Sequence, residues 1–361
     1  MCRGTGVPRR TSAVGLRWDG AGRHGGRTSR RAGTVTVTEP AGGLTTGPDV
    51  DLGVTLAGVC LPTPVMTASG CAAAGRELSP FLDLAAIGAV VTKSVMLDAR
   101  SGRPTPRMVE TPSGMLNSIG LQGPGIDAFL ERDLPWLVER DARAVVSIAG
   151  GSLGEYAELG RRLGASPGVA AVEVNISCPN VEDRGQVFAC HPLQAGRAVS
   201  AVRRGIPQDV PLLVKLSPDV TDIVTVAASV MEAGASGLTL INTTLGLAID
   251  PDTLAPVLGG VTGGLSGPAI RPMAVRCVWQ VHAAMPDVPV VGVGGVRTGR
   301  DALEFLLAGA SAVQIGTVLF NDPSAPHRVA EELRAELSRR GFRSPSEVVG
   351  LAHRPPAAAP S

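Results

Sequence analysis

Short apolar runs alternate with amphipathic stretches along most of the chain, starting at about residue 51. Runs rich in valine, leucine, isoleucine and alanine, bounded by glycine, proline or polar residues, are typical of buried strands. Such runs predict strands at 64–67, 89–93, 144–147, 171–175, 212–216, 238–242, 290–293 and 312–316. Their short length and almost continuous apolar character favour parallel strands that are buried on both faces.

The segments between these runs carry apolar residues at helical spacing and predict helices. Examples are 127–139, 193–204, 222–233, 300–308 and 326–339. Strands that alternate with helices form βα units, and eight units predict an α/β fold of the TIM (β/α)8 barrel type. The sequence VDLGVTLAGVCLPTPVM, at 50–66, predicts a short N-terminal β-hairpin before the first strand. A doubly wound open sheet is the alternative, although no Gly-x-Gly-x-x-Gly motif follows the first strand.

The two ends of the chain differ in composition from the part between them. Residues 1–48 are rich in arginine and glycine without an apolar period, so we expect a disordered tail there, the barrel at 49–350 and a second disordered tail at 351–361. Residues 1–34 hold eight arginines and one acidic residue, and without them the formal net charge falls from +1 to −6. A mildly acidic barrel argues against nucleic-acid binding. The lack of an apolar run of about 18 residues argues against a membrane span.

The six cysteines do not indicate a metal centre. No two of them are spaced Cys-x-x-Cys, the usual signature of a zinc site or an iron–sulfur cluster. We therefore expect no bound metal. Small, reduced cysteines of this kind are typical of a cytoplasmic protein.

Scarce polar residues gather at the ends of the predicted strands. Of 33 basic residues only two are lysine, and the whole chain has only five asparagines. Four predicted strands end in Lys93, Ser147, Asn175 and Asn242, and Lys215 is the residue before the last of its strand. Because the active sites of TIM barrels lie at the carboxyl ends of the strands, this edge is the expected site, with Asn117 and Asn180 on loops beside it.

The last two predicted strands run into glycine-containing loops, Gly294-Gly295 and Gly316-Thr317. Loops at these two places form the usual phosphate site of a TIM barrel, since their backbone N–H groups can face an anion. The sequence therefore predicts a ligand or cofactor that carries a phosphate.

Five segments in order resemble class 1 dihydroorotate dehydrogenases over roughly residues 50 to 350. They are LNSIGLQGPG at 116–125, NISCPN at 175–180, VKLSPDVTDI at 214–223, INTTLG at 241–246 and GGLSGPAIRP at 263–272. The resemblance implies a TIM barrel that binds FMN and oxidises (S)-dihydroorotate to orotate in the synthesis of pyrimidines.

The same resemblance implies the residues of the site. Those expected at FMN are Ser69, Lys93, Ser94, Ser147, Asn175, Lys215, Ile241, Gly267, Gly294, Gly295, Gly316 and Thr317. Those expected at the substrate are Lys93, Asn117, Ser118, Ile119, Gly120, Leu121, Asn175, Asn180, Asn242 and Thr243, with backbone N–H groups of 118–121 at its carboxylate. Cys178 would be the base that removes a proton while a hydride leaves for the flavin. A lysine near the flavin ring stabilises its reduced form, and we expect Lys215 in that role, the alternative being a salt bridge inside the barrel.

Within the family, most motifs resemble type B, in which a partner subunit with FAD and an iron–sulfur cluster passes electrons to NAD. Ser147 instead resembles type A, which reduces fumarate, and the segment RRGFRSPSEVVG, at 339–350, leans away from type B. A homodimer or a heterotetramer is expected accordingly.

Three other functions stay open at this point. A dihydropyrimidine dehydrogenase-like enzyme acting on uracil or thymine would share the Cys178 motif, but typically has histidine where this chain has Asn180. A dihydrouridine synthase acting on RNA is disfavoured by the acidic barrel, and a non-catalytic flavin protein by the presence of Cys178.

Overall fold

The computed structural model describes residues 48–176 and 191–354. Its first element is the predicted hairpin, made of antiparallel strands β1 (Val54–Leu56) and β2 (Val59–Leu61). Ala57 and Gly58 form the turn with φ angles of 48° and 93°. Two successive residues with positive φ give the backbone twist that a two-residue hairpin loop needs. The hairpin prediction is confirmed.

Fourteen further strands follow in the described part of the chain. They are β3 (Val65–Thr67), β4 (Val90–Val91), β5 (Met108–Thr111), β6 (Gly114–Asn117), β7 (Ala144–Ile148), β8 (Val169–Asn175), β9 (Leu212–Leu216), β10 (Gly237–Leu240), β11 (Thr244–Gly246), β12 (Ile249–Asp250), β13 (Ala255–Pro256), β14 (Gly263–Ser266), β15 (Val290–Val293) and β16 (Ala312–Ile315).

Eight of these strands form one parallel sheet, in the order β3-β16-β15-β10-β9-β8-β7-β4. Backbone hydrogen bonds also join the two end strands. The N–H of Thr67 donates to the carbonyl of Ala89 (3.1 Å), and the N–H of Gly88 donates to the carbonyl of Val65 (2.8 Å). The sheet therefore closes on itself, and each predicted strand overlaps one of its eight strands. The TIM barrel is confirmed and the open sheet was the wrong alternative.

Helices connect the barrel strands and pack on their outer side. They are α1 (Ile126–Ala128), α2 (Leu134–Val138), α3 (Leu153–Gly164), α4 (Pro192–Arg203), α5 (Ile223–Glu232), α6 (Arg271–Ala284), α7 (Gly299–Leu307) and α8 (Ala325–Arg339), with a π-helical turn, Phe129–Asp133, joining α1 to α2. Side-chain caps mark where several of them begin. Ser152 accepts a backbone hydrogen bond at α3, Asp222 does so at α5, and Thr298 with Asp301 forms a capping box at α7. Four of the five helices named from the sequence are present as single helices, with each end within one residue of its prediction. The fifth, 127–139, is divided into α1, the π-helical turn and α2.

Apolar side chains fill two regions of the barrel. The larger region lies between the strands and the surrounding helices. The smaller one lies inside the barrel toward the amino ends of the strands, where Leu56 and Leu61 of the hairpin pack with Met66, Val145 and Leu213. The hairpin thus closes this end of the barrel with apolar side chains.

A second, antiparallel sheet stands beside the carboxyl ends of the barrel strands and was not predicted. Its strand order is β11-β14-β6-β5. Asn117 is the last residue of β6 and pairs with Gly264 of β14, so its expected place on a loop was wrong. Strands β6 and β14 show no regular apolar alternation, and their partners lie almost 150 residues apart in the chain. Local sequence patterns therefore do not reveal this sheet.

Two barrel strands and one chain boundary differ from the prediction. Strand β4 ends at Val91 and β10 at Leu240, so Lys93 and Asn242 each lie two residues beyond the strand. A 3-10 turn, Leu351–His353, follows the last helix, and its His353 ring stacks on Trp279 at 3.6 Å between ring centres. The folded part of the chain therefore continues past residue 350.

In the part of the chain that the structure describes, no helix is both long enough and apolar enough to cross a bilayer.

Candidate active site

A cavity of about 360 Å³ lies at the carboxyl ends of the barrel strands. Its volume falls within the ~300–1,000 Å³ typical of small-molecule sites. Many of the residues expected from the sequence line it, namely Ser69, Lys93, Ser94, Asn117, Ile119, Gly120, Leu121, Asn175, Lys215, Ile241, Asn242, Thr243, Gly267, Gly294, Gly295, Gly316 and Thr317. Folding thus brings together residues that are spread over most of the chain.

Four expected site residues are not among those lining the cavity. Cys178 and Asn180 lie outside the described residues. Ser147 is fully buried, and its Oγ lies 2.9 Å from Ser94 Oγ, so it contacts a lining residue from behind. Ser118 is also fully buried, and its backbone N–H donates to the carbonyl of Arg107 at 2.7 Å. That N–H is already used within the protein, whereas the Ser118 hydroxyl has no hydrogen-bond partner among the described residues. A contact between Ser118 and the substrate stays a prediction.

Ser94 is at the centre of a hydrogen-bond network along the cavity wall. Its hydroxyl oxygen accepts from the side-chain amide of Asn175 (3.1 Å) and lies 3.4 Å from Ser69 Oγ. The side-chain oxygen of Asn175 in turn accepts from the amide of Asn242 at 3.2 Å. Each of these side chains comes from a different strand end. The network therefore fixes their orientations before any ligand binds, which favours selective binding.

Two asparagines are also held through the backbone around them. The side-chain amide of Asn117 donates to the carbonyl of Gly264 (3.2 Å), and the side-chain oxygen of Asn242 accepts from the N–H of Thr243 (2.8 Å). Each contact uses one side of the amide group. An asparagine side chain has both a donor and an acceptor side, so the oxygen of Asn117 can still accept from a ligand. Asn242 uses both sides, because its amide also donates to Asn175, and its orientation is therefore fixed twice.

Both lysines of the chain line the cavity, and among its described lining residues they are the ones with charged side chains. Lys93 Nζ lies close to the backbone of Gly70, where an added Cβ would be 3.6 Å away. Lys215 is buried, and its Nζ lies 4.0 Å from Oε1 of Glu173, one strand away. The sequence analysis gave Lys215 two alternative roles, a contact with the flavin or a salt bridge inside the barrel. The geometry allows both at once. Two ammonium groups make the cavity suitable for an anionic ligand.

Glycines give one side of the cavity a close backbone approach. Gly267 and Gly295 have φ angles of 92° and 73°, in the left-handed region that favours glycine. A Cβ on Gly295 would lie 2.6 Å from the carbonyl oxygen of Gly267, and a Cβ on Gly267 would lie 2.8 Å from Cα of Gly114. Side chains are therefore excluded here and backbone groups face the cavity. This arrangement, after β15 and β16, fits the phosphate of a cofactor such as FMN.

The cavity is also lined by Cys71, which the sequence did not indicate. Its Sγ lies next to Gly316, where an added Cβ would be 3.1 Å away. Burial raises the pKa of the Cys71 thiol, although the ammonium groups of Lys215 and Lys93 act in the opposite direction. The thiol is therefore protonated at neutral pH. A protonated thiol cannot accept a proton, so Cys71 is unsuited to the role expected of Cys178.

The second sheet supplies lining residues that the sequence analysis missed. Met108 of β5, Met115 of β6 and Ser266 of β14 line the cavity, together with Phe320 after β16. The Ser266 hydroxyl accepts from Thr317 Oγ1 at 2.9 Å and so links this sheet to the barrel. Two of these residues could have been found from their closeness in sequence to expected site residues. Met115 lies two residues before Asn117, and Ser266 directly precedes Gly267.

Comparison with known proteins gives consistent matches. A family model described as dihydroorotate dehydrogenase matches residues 51–337. The protein named dihydroorotate dehydrogenase B (NAD(+)), catalytic subunit, of Geobacter sulfurreducens is 52% identical over 300 residues, which cover 83% of this chain and 97% of the relative. Proteins of the same name from Pelobacter propionicus and Geobacter sp. (strain M21) are 52% and 50% identical over 300 residues, which cover 83% of this chain and 98% and 97% of those relatives.

Proposed function

This chain belongs to the dihydroorotate dehydrogenase family, and we propose that it oxidises (S)-dihydroorotate to orotate in pyrimidine biosynthesis, with FMN as its cofactor. The observation that carries this proposal is that both lysines and three asparagines, Asn117, Asn175 and Asn242, line one cavity at the carboxyl end of the barrel. Asparagine amides match the amide groups of a pyrimidine ring, and an ammonium group matches its carboxylate.

FMN fits the part of the cavity where side chains are excluded. Its phosphate and ribityl chain would be held by Gly267, Gly294, Gly295, Gly316 and Thr317, and its ring system by Ser69, Lys93, Ser94, Asn175, Lys215 and Ile241. Ser147 would support the ring through Ser94. When bound, FMN supplies the acceptor for the hydride that leaves the substrate. The Lys215 ammonium would stabilise the negative charge that reduction adds.

The substrate would be held by the opposite set of residues. Asn117, Asn175, Asn242 and Thr243 would contact the ring, while Lys93 and the backbone of Ile119, Gly120 and Leu121 would hold the carboxylate. Gly120 and Leu121 have φ angles of 75° and 56°. Positive φ is unstrained for Gly120 but strained for Leu121, and strained backbone is concentrated in binding sites. A loop that binds a carboxylate favours dihydroorotate over uracil, thymine or RNA. Asn180 would complete the ring contacts.

Cys178 would act as the base. Removal of a proton from one ring carbon must accompany loss of a hydride from the next, so a proton acceptor has to lie at the substrate. Cys178 stands in the Asn-Ile-Ser-Cys-Pro-Asn motif directly after β8, whose last residue, Asn175, lines the cavity. Cys71 has a thiol pKa raised by burial and is the less suitable of the two.

Electrons would then leave through a second protein. The relatives are named catalytic subunits of an NAD(+) enzyme, and we propose NAD+ as the acceptor here, reached through a partner subunit with FAD and an iron–sulfur cluster. Ser147, which resembles type A, has its hydroxyl 2.9 Å from that of Ser94 and does not itself line the cavity. A heterotetramer in the cytoplasm is the assembly and location that accord with this proposal.

The test is reduction of the bound flavin by candidate substrates. The purified protein is mixed rapidly with dihydroorotate, dihydrouracil or dihydrouridine-containing RNA, and the loss of flavin absorbance is followed. We expect fast bleaching with dihydroorotate alone. Faster bleaching by dihydrouracil or RNA would refute the proposed substrate, and release of FAD instead of FMN on denaturation would refute the cofactor.

A further inference from the structure

Glu173 is a buried acidic residue to which the proposed site gives no role. It lies on β8, two residues before Asn175 and therefore on the same inward face of the strand. Its side chain is completely buried. One carboxylate oxygen, Oε2, accepts hydrogen bonds from Gln314 Nε2 (2.8 Å) and from Thr239 Oγ1 (3.1 Å).

The other oxygen, Oε1, faces Lys215. Among the described residues it accepts no hydrogen bond, and Lys215 Nζ lies 4.0 Å from it. The two neutral donors therefore hold the carboxylate in an orientation that directs its free oxygen toward the lysine. A buried carboxylate is unfavourable unless an opposite charge compensates it, and Lys215 provides that charge.

The 4.0 Å separation leaves the lysine able to bind a ligand. It is short enough for strong attraction in a buried environment but too long for a direct hydrogen bond. The Lys215 ammonium thus keeps its hydrogen-bond donors for the cavity that it lines. Glu173 attracts the ammonium from the barrel interior without occupying those donors.

We propose that Glu173 is a positioning residue that holds the Lys215 ammonium at the floor of the cavity and limits how strongly its positive charge acts on the flavin. This inference rests on the proposed function, in which Lys215 contacts FMN. Reduction adds negative charge to the flavin ring. Lys215 stabilises that charge and Glu173 opposes it, so the carboxylate keeps the reduction potential below the value that an uncompensated lysine would produce.

Glutamine at position 173 separates this role from a structural one. Glu173→Gln keeps the side-chain length and an acceptor oxygen for Gln314 and Thr239, but it removes the negative charge. A residue that only satisfied these two hydrogen bonds would be replaced by glutamine without any effect on the flavin. If Glu173 instead modulates the charge of Lys215, the same substitution changes the reduction potential of the flavin.

The experiment measures the reduction potential of the FMN-loaded protein against a reference dye. We expect Glu173→Gln to favour reduced over oxidised flavin by at least tenfold relative to wild type, which corresponds to a rise of about 30 mV for a two-electron couple. An unchanged potential in a variant that still binds FMN would overturn the proposal. If Glu173→Gln does not fold, Glu173→Asp replaces it, since the shorter side chain withdraws the charge from Lys215. A rise in potential supports the proposal and no change refutes it.

Thr239→Val is the matched control. It removes one hydrogen bond to the same carboxylate but leaves both charges in place. We expect its potential to stay near the wild-type value, and a rise as large as that of Glu173→Gln would show that packing, not charge, controls the flavin. Wild-type protein that bound no FMN would refute the proposed function itself. Wild-type protein with FMN and an unresponsive Glu173→Gln variant would refute this inference alone.

Discussion

The two ends of the barrel interior differ in almost every physical property. At the amino end, Leu56 and Leu61 of the hairpin pack with Met66, Val145 and Leu213 in an apolar cluster. At the carboxyl end, lysines, asparagines and serines surround a cavity, and asparagines and a serine form hydrogen bonds with one another. Both ends are built from the same strands. In β9, for example, Leu213 belongs to the apolar end and Lys215 to the polar end.

Along each strand, one end therefore contributes mainly to the stability of the fold and the other to the binding site. Close-packed apolar side chains at one end contribute the free energy of burial. Polar groups at the other end are costly to bury and are retained where they bind ligands, as in other TIM barrels. Substitutions at the amino end should therefore change the free energy of unfolding. Substitutions at the carboxyl end should change cofactor binding or the reaction rate.

The largest effect is expected at Cys178, on the catalytic side. Cys178→Ala should slow flavin reduction by dihydroorotate by ~10²–10⁴-fold, the usual contribution of a positioned general base. FMN content and orotate binding should not change, because neither depends on the thiol. Cys178→Ser should keep part of the rate and need higher pH, since a hydroxyl is far less acidic than a thiol. Rapid-mixing measurements of flavin bleaching at several pH values check both variants.

Cys71→Ala is the control for that experiment, because Cys71 also lines the cavity. Burial keeps its thiol protonated, so its loss should leave the rate of flavin reduction at neutral pH within a few-fold of wild type. If Cys71→Ala were the slow variant and Cys178→Ala the fast one, the assignment of the base would have to be reversed.

At the amino end, Leu61→Ala should lower the free energy of unfolding by ~2–5 kcal/mol, the cost of a cavity left by a buried leucine. Its turnover number should not change, because the cluster lies at the other end of the strands. Cys60→Ala, one residue earlier and exposed, is the matched control and should cost little. Urea unfolding gives the stabilities. A Leu61→Ala variant with normal stability would contradict the role given to the hairpin.

A third substitution tests the glycine-lined side of the cavity. Gly295→Ala should weaken FMN binding by about tenfold or more, or ~1.4 kcal/mol, because its Cβ would lie 2.6 Å from the carbonyl oxygen of Gly267. Gly341→Ala is the control, since Gly341 also has positive φ (83°) but nothing within 4 Å of an added Cβ. Fluorescence titration with FMN measures both affinities. Equal affinities of the two variants would show that the close approach of Gly295 to Gly267 does not control FMN binding.

The smallest effect is expected from removal of the N-terminal segment. Residues 1–34 lack an apolar period, so a protein that begins at Val35 should keep its FMN content and its melting temperature. A fall in melting temperature of more than ~2–4 °C, the shift that ~1 kcal/mol produces in a protein of this size, would show that the segment packs on the barrel.

Much of the barrel could be predicted because its signals are local. Strands 212–216 and 290–293 were predicted with their observed ends, since apolar runs bounded by proline, glycine or polar residues depend on neighbouring residues only. The second sheet could not be predicted in this way, because Gly114–Asn117 and Gly263–Ser266 become strands by pairing with each other. Pairing between distant segments leaves no periodic pattern in either one.

The candidate site divides in the same way. Lys93, Asn175 and Lys215 could be identified from their scarcity and from their positions at strand ends. The positions of Cys71 and Ser147 could not be predicted, because a residue near a strand end can either face the cavity or lie behind the residues that line it. The local backbone conformation decides in which direction such a side chain points, and composition does not reveal that conformation.

By itself, the sequence determined the (β/α)8 barrel, the family and most of the residues around the cavity, because strand periodicity and ordered motifs are properties of the linear chain. Only the tertiary structure decided that Glu173 lies 4.0 Å from Lys215, that Ser118 uses its N–H within the protein, and that β6 and β14 form part of the cavity. Such contacts depend on the stagger of neighbouring barrel strands and on the pairing of distant segments. Closure of the barrel fixes which side chains meet inside it, and pairing of β6 with β14 places the second sheet beside the cavity.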